Sequence, residues 1–274
     1  MTEDLRVSVD VPSSQTLSRP ARVIMASARL AGGVSTLLHC CAASTLTLAQ
    51  LRREIPGAWQ EFAAQSEEIE TGLSPWEEDM VERLVPANAS VLVIGCGSGR
   101  DVLPLLARGC RVVGVDPADR AVDRARAITA RRGLTADYIT GFFEDVPLSG
   151  TFDAVLFSYF SYTLIPTVAR RRAALNKAMA HLAPGGRIVV SYQPMLLPRT
   201  YMLGVTRLVG WLFRSDWRIE PGDYLARVRF GGRDAYRYVH AFAAGEVARE
   251  ASAVGLRVTS ERAWSDEVVL ALER

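Results

Sequence analysis

The sequence predicts an α/β domain built on a doubly wound, seven-stranded and mostly parallel sheet, preceded by a helical extension. Two observations predict this fold class. From about residue 90 onward, short apolar runs that suit strands buried on both faces alternate with helical segments. The first of these runs, 91–94, ends in a glycine cluster that opens a helix. Strands and helices that alternate at short spacing form parallel sheets covered by helices, and 274 residues suffice for one large domain.

The elements of this domain follow from the hydrophobic pattern, taken in chain order. Strands are predicted at 91–94, 111–115, 136–140, 152–157 and 187–191, followed by two closing strands at 256–260 and 267–272. Helices are predicted at 101–108, 119–132, 168–182 and 244–254. The alternation is interrupted at 194–235, which we interpret as a helical lid insert in a domain that covers 86–274.

The N-terminal third differs from this pattern. Residues 1–20 contain prolines and serines with little periodicity, and they predict a mobile tail. Residues 21–85 predict a helical cap, in which Leu48, Leu51, Ile55 and Trp59 fall at helical spacing. Its uncharged stretch 30–51 is long enough to span a bilayer, but its many small polar residues favour one or two helices packed on the protein.

Composition excludes several function classes. The net charge of +2 is too small to indicate nucleic acid or an anionic membrane by itself. Four cysteines without a C-x-x-C pair and only three histidines predict no metal site. Free thiols and an N-terminus without a basic, apolar secretory signal predict a cytoplasmic protein.

The sharpest motif is the glycine cluster together with an acid at the end of the next strand. The cluster comprises Gly95, Cys96, Gly97, Ser98 and Gly99. Glycines let the main chain turn tightly and approach a ligand closely, and an acidic side chain at the neighbouring strand end can accept hydrogen bonds from both ribose hydroxyls. Asp116 has that position. The structural alternative is a tight turn with an Asx-turn at Asp116-Pro117.

Two cofactor classes share this arrangement. A dinucleotide site requires Gly-x-Gly-x-x-Gly, so that the pyrophosphate lies on the helix start. In this chain Arg100 occupies the last position. The sequence therefore disfavours nicotinamide and flavin cofactors.

The motifs resemble those of the Rossmann-like, class I S-adenosylmethionine-dependent methyltransferases. Residues 91–101 look like the first motif of that family, 113–117 the second, and 182–188 the turn into its fifth strand. The resemblance covers roughly 75–193 and, more loosely, 238–273. It implies the sheet order 3-2-1-4-5-7-6, with the last strand antiparallel, and S-adenosylmethionine as the cofactor.

The resemblance also implies a set of cofactor contacts. Gly95 and Gly97 would pack against the methionine part and the ribose, and Asp116 would hold the ribose hydroxyls. Many relatives carry an Asp after the glycine that ends the third strand, where this chain has Phe142, so Glu144 or Asp145 would serve the adenine amine. Phe143 either stacks on adenine or belongs to the core. The full predicted set is Gly95, Cys96, Gly97, Ser98, Gly99, Asp116, Pro117, Phe143, Glu144, Asp145 and Ser158.

Methyl transfer from a sulfonium is a direct displacement that needs alignment and exclusion of water more than a catalytic dyad. Candidates on the acceptor side are Tyr159, Tyr162 and His240, each of which has a structural role as its alternative. The apolar segment 201–213 is interpreted as a core-facing helix, a lid over an apolar acceptor, or a contact with a membrane surface.

These observations predict a methyltransferase that acts on a small, partly apolar acceptor. The alternatives are an RNA (tRNA) methyltransferase, a non-catalytic cofactor-binding protein of the same fold, and a nicotinamide-dependent oxidoreductase. Nucleic acid is disfavoured because the chain has no long Lys/Arg run and no appended RNA-binding module. The acceptor, the methylated atom and the oligomeric state are not predicted.

Overall fold

The computed structural model describes residues 19–65, 72–195, 200–230, 233–264 and 267–274. The helices are α1 (Arg19–Thr45), α2 (Leu48–Gln65), α3 (Pro75–Leu84), α4 (Val102–Ala107), α5 (Asp119–Arg131), α6 (Val168–Ala180), α7 (Leu203–Leu212) and α8 (Glu246–Ser252). The strands are β1 (Ser90–Ile94), β2 (Arg111–Asp116), β3 (Asp137–Thr140), β4 (Phe152–Phe157), β5 (Leu182–Tyr192), β6 (Asp223–Phe230), β7 (Arg233–His240), β8 (Arg257–Trp264) and β9 (Glu267–Glu273).

The chain divides into two compact units, Met1–Leu38 and His39–Arg274. The described part of the first unit is helical throughout. The predicted mobile tail, 1–20, lies outside the described residues except for its last two, which begin α1. Within the described residues no single helix is long and apolar enough to cross a membrane, and only 31–45 and 48–57 together, bent by 100°, meet that test by length and composition.

The main sheet has seven strands in the order β3-β2-β1-β4-β5-β9-β8. The strands from β3 to β5 pair in parallel, and β9 is antiparallel to both β5 and β8. With the β6–β7 hairpin set aside, β8 and β9 are the sixth and seventh strands, so the predicted order 3-2-1-4-5-7-6 is confirmed. The carboxyl ends of β1, β2 and β4 therefore meet at one edge, where open α/β sheets bind their ligands.

Both faces of the sheet are buried, as its continuous apolar strands predict. Leu92 and Ile94 of β1 belong to a core that includes buried residues of α6 and α8. Val91 and Val93 belong to the core of the opposite face, which includes buried residues of α3 and α4. Because neighbouring side chains of a strand point to opposite faces, one apolar run supplies both cores.

The insert corrects the prediction of a wholly helical segment at 194–235. Among the described residues of this segment only α7 is an α-helix, and β6 and β7 form a separate two-stranded antiparallel sheet that continues past residue 235 to His240. Arginines alternate with apolar residues in the second half of β6, at the two-residue period of a strand. Two glycines separate β6 from β7 in the sequence, which is a hairpin signal that the interpretation as a lid overlooked.

The orientation of α7 also differs from a core-facing helix. Its buried positions are the small residues Thr206 and Gly210, which follow buried Met202 at four-residue spacing. The larger apolar residues Leu208 and Trp211 are 56% and 73% exposed. The small side chains let α7 pack closely against the residues beneath it, whereas Leu208 and Trp211 are exposed to solvent.

Candidate functional site

A cavity opens at the carboxyl edge of the sheet, at the ends of β1, β2 and β4. Its walls contain the loop 95–98, Asp116 and Pro117 after β2, 141–144 after β3, and Ser158 and Tyr159 after β4. Three residues of α2, Arg52, Ile55 and Trp59, also line it. Among the described residues of the insert 194–235, none lines the cavity, so α2 and not the insert supplies this wall.

Gly95 and Gly97 of the motif require the absence of a side chain for different structural reasons. Gly95 has φ +78°, and a Cβ there would lie 2.5 Å from the Cβ of Ser161, so the fold itself requires a bare backbone. Gly97 has φ +50°, and a Cβ there would meet nothing within 4 Å. Because Gly97 also lines the cavity, its missing side chain leaves main chain open to a ligand.

The carboxylate of Asp116 lies directly against this bend. Its Oδ2 accepts a hydrogen bond from the Gly97 amide at 2.9 Å, and its Oδ1 accepts one from the Ala118 amide at 2.8 Å. Burial raises the pKa of Asp116 to about 6, although the two amide hydrogen bonds act in the opposite direction. Asp116 thus forms the Asx-turn and also lines the cavity, and its remaining lone pairs can accept hydrogen bonds from hydroxyl donors.

Of the residues predicted after β3 to contact adenine, two line the cavity and one does not. Phe143 is 4% exposed and packs in the core, with part of its surface on the cavity. Glu144 lines the cavity and pairs with Arg170 at 3.0 Å. Asp145 forms an ion pair with Arg52 and is not among the cavity-lining residues.

The wall beneath the end of β4 is a hydrogen-bonded chain. The Ser158 hydroxyl donates to Asp101, and Asp101 and Glu77 both pair with Arg100. Arg100, the residue that departs from the dinucleotide motif, is therefore fixed in the cavity wall by two carboxylates. Sequence reasoning missed the roles of Asp101, Glu77 and Arg52, because their partners are distant along the chain.

Of the three candidates on the acceptor side, only Tyr159 lines the cavity; its side chain is 42% exposed. Tyr162 and His240 are fully buried outside the cavity walls, which corrects their placement. The Tyr162 hydroxyl donates to Glu250 at 2.6 Å. Its position is explained by core packing, since its ring also stacks on Phe242.

His240 is the centre of a buried polar network between the hairpin and the main domain. Its Nδ1 lies 2.6 Å from Asp223, and its Nε2 lies 3.2 Å from Glu246. Because both ring nitrogens face carboxylates, the imidazolium is favoured, and these hydrogen bonds raise the pKa of His240 to about 9 against the effect of burial. Arg171 pairs in the same network with Glu220 at 2.8 Å and Glu250 at 2.6 Å.

Glu220, Asp223 and His240 bring one potential metal-ligand atom each within 4.8 Å of one another. The hydrogen bond between Asp223 and His240 and the guanidinium of Arg171 beside Glu220 already occupy these atoms. Direct hydrogen bonds and ion pairs in this network thus link the hairpin to α6 and α8.

Comparisons with known proteins agree with this geometry. Residues 91–186 match a family model described as a methyltransferase domain. A ubiquinone biosynthesis O-methyltransferase of Cereibacter sphaeroides is 30% identical over 167 residues, which are 58% of this chain and 66% of that protein. A cypemycin N-terminal methyltransferase of a Streptomyces species is 33% identical over 97 residues, which are 35% of this chain and 39% of that protein.

The fold comparison extends over more of the chain. The structure of the CcbJ methyltransferase from Streptomyces caelestis matches with a TM-score of 0.55 at 18% identity, covering 72% of this chain and 88% of that one. The fold is therefore the Rossmann-like fold of the class I methyltransferases. More particularly, the matched methyltransferase domain at 91–186 is similar to that of the ubiquinone biosynthesis O-methyltransferases, and this chain spans 54% to 66% of the length of five such proteins.

Proposed function

We propose that the protein is an S-adenosylmethionine-dependent methyltransferase that acts on a small, partly apolar acceptor. The observation that carries this proposal is the Asp116 carboxylate, held 2.9 Å from the amide of a bare Gly97 in the cavity wall. The residues present fit the cofactor, because a Cβ at Gly97 would fill the cradle and the carboxylate matches a pair of ribose hydroxyls. When bound, S-adenosylmethionine supplies a methyl group activated by its sulfonium.

The chain's own residues would position the two reactants. Asp116 and the loop 95–98 hold the nucleoside side, and Ser158 and Tyr159 border the space beyond the end of β4. Ile55, Trp59 and Phe142 make much of the wall apolar and help to exclude water. Such a site accelerates transfer by aligning the acceptor atom with the methyl carbon. The names of the relatives include both O- and N-terminal methyltransferases, so the acceptor atom is left to experiment.

The test is transfer of label from isotopically labelled S-adenosylmethionine to cell metabolite fractions, with the product identified by mass spectrometry. Wild type is expected to label a low-molecular-weight, extractable compound, and Asp116→Ala to label it at less than about a tenth of that rate. Label that enters only RNA would replace the proposal with the tRNA alternative. Binding of the cofactor without transfer to any fraction would favour the non-catalytic alternative.

The exposed face of α7 supports a further part of the proposal, contact with an anionic membrane surface. Leu208, Trp211 and Leu212 are 56%, 73% and 61% exposed, and Arg207 and Arg214 beside them are also exposed. Exposed apolar residues flanked by arginines suit the boundary between acyl chains and anionic headgroups.

Cosedimentation with vesicles tests this contact. Wild type is expected to bind phosphatidylglycerol vesicles and to be released by salt, whereas Trp211→Ser combined with Leu208→Ser is expected to remain in solution. Tyr236→Ser, at a 51% exposed position on the hairpin, is the matched control and should bind as wild type does. Equal binding by the double variant would contradict the proposal.

We also propose that the protein works in a reducing, cytoplasmic compartment. Cys40, Cys41, Cys96 and Cys110 are all free thiols, which supports this location. Fractionation of the source cells with an antibody to the protein is the direct test, and recovery from an oxidising compartment would contradict it.

A further inference from the structure

Arg237, on β7, is a partly buried cation. Among the residues that the structure describes, no carboxylate pairs with its guanidinium, and its buried Nε has no hydrogen-bond partner. Its Cζ lies 5.2 Å from the centre of the Trp59 ring. Arg171, a fully buried arginine of this region, pairs with Glu220 and Glu250, so the fold does supply partners where a guanidinium serves structure.

The unpaired state of Arg237 is energetically unfavourable for the protein alone. Burial lowers the pKa of Arg237, and the nearby phenol groups of Tyr224 and Tyr159 oppose this effect only in part. A cation stacked on an aromatic ring recovers about 0.5 to 2 kcal/mol, which is less than the several kcal/mol that desolvation of an ion costs. A cation left in such a state beside a cavity-lining residue is a candidate for binding an anion from solution.

The surroundings of Arg237 connect it to the cavity. Trp59, the ring on which its guanidinium lies, is a cavity-lining residue, and so is Tyr159. Tyr159 follows β4, on the side where the acceptor is expected, whereas Asp116 ends β2 on the nucleoside side. Arg237 is not itself a cavity-lining residue, but its guanidinium lies against Trp59, which is one.

We propose that Arg237 binds the carboxylate of an aromatic acid, and that this acid is the acceptor. A guanidinium offers two parallel N–H donors that match the two oxygens of a carboxylate, and Trp59 and Tyr159 offer flat surfaces for an aromatic ring. The inference rests on the proposed methyltransferase function. A carboxylate also occurs in the amino-acid part of the cofactor, and the experiment separates these two sources.

The experiment is calorimetry on the full chain with three probes. S-Adenosylhomocysteine reports on the cofactor site. 4-Hydroxybenzoate and its uncharged amide, 4-hydroxybenzamide, are then titrated into protein saturated with S-adenosylhomocysteine. Wild type is expected to bind the acid at least about tenfold more tightly than the amide. Arg237→Gln is expected to remove this preference and to change the affinity for S-adenosylhomocysteine less than about threefold.

Controls separate recognition from folding. Arg227→Gln, on the exposed side of the same hairpin, should retain the preference for the acid. Arg237→Met should unfold at the same or a higher temperature than wild type, since it removes an uncompensated buried charge. A clearly lower unfolding temperature would show that Arg237 serves the fold and would overturn the proposal.

The remaining outcomes also decide the matter. A tenfold loss of S-adenosylhomocysteine affinity in Arg237→Gln, with the acid unaffected, would assign Arg237 to the cofactor and overturn the acceptor proposal. Equal binding of acid and amide by wild type, or no saturable binding of the acid, would overturn it as well. Failure of wild type to bind S-adenosylhomocysteine would instead refute the proposed function itself.

Discussion

Gly97→Val is the substitution that most directly tests how the cavity would hold a nucleoside. Gly97 has φ +50°, so valine is strained there at roughly 1–3 kcal/mol, yet its side chain enters open space and clashes with no protein atom within 4 Å. At about 2–4 °C per kcal/mol for a domain near this size, the unfolding temperature should fall by several degrees while the chain still folds. The same side chain would occupy the cradle, and S-adenosylhomocysteine affinity should fall by at least about a hundredfold, or about 2.7 kcal/mol.

Gly133→Val is the matched control for this substitution. Gly133 has φ +66° and also faces open space, but it follows α5 and is not a cavity-lining residue. Differential scanning fluorimetry should show similar destabilisation for the two variants, and calorimetry should show lost binding only for Gly97→Val. If Gly97→Val bound S-adenosylhomocysteine as wild type does, the argument from a bare main chain would be refuted. Equal losses in both variants would attribute the effect to stability alone.

Three further predictions follow from the charges. Asp116→Ala should weaken S-adenosylhomocysteine binding more than tenfold in calorimetry, because hydrogen bonds to a charged acceptor contribute about 1.5–3 kcal/mol each, and unchanged affinity would contradict this. Wild-type affinity should be constant above pH 7 and fall as the pH decreases through about 6, where Asp116 becomes protonated, whereas a flat titration would be inconsistent with its role. His240 has a folded-state pKa of about 9, above the ordinary 6.5, so its stabilisation should be complete below pH 6.5 and disappear as the pH rises through 9. Urea unfolding at a series of pH values should show this loss in wild type and a flatter profile in His240→Gln, and identical profiles would disprove it.

The nucleoside side of the site was predictable because its parts are close in sequence and belong to consecutive elements. Gly97 follows β1 and Asp116 ends β2, and parallel strands joined by one helix place their carboxyl ends together. Periodicity alone therefore determined which side chain would meet the bend. Asp101 follows the same loop, but its partner Ser158 follows β4, and no local pattern indicates that hydrogen bond.

The acceptor side was not predictable for the opposite reason. Trp59 on α2 and Arg237 on β7 are in contact, but hydrophobic periodicity does not predict which helix packs on which strand. The segment that contains most of this hairpin was also interpreted as a helical lid. His240 shows the same limit: its sequence neighbours predict a residue near a helix start, which is correct, but its partner Asp223 lies on the other strand of the hairpin. A histidine with acidic partners is a core residue here, and without the hairpin register it cannot be distinguished from a base.

Two arginines illustrate how structure assigns roles that sequence leaves equal. Arg171 lies over the ring of Phe242, and Arg237 lies over the ring of Trp59. They differ in counter-charge: the carboxylates around Arg171 make it part of the link between the hairpin and α8, whereas no carboxylate of the described residues pairs with Arg237. If a cation is desolvated without compensation in the folded protein, its free energy is recovered only when an anion binds, and that recovery contributes to the affinity for the ligand. The same unpaired charge that weakens the free protein would thus select an acidic acceptor over a neutral one.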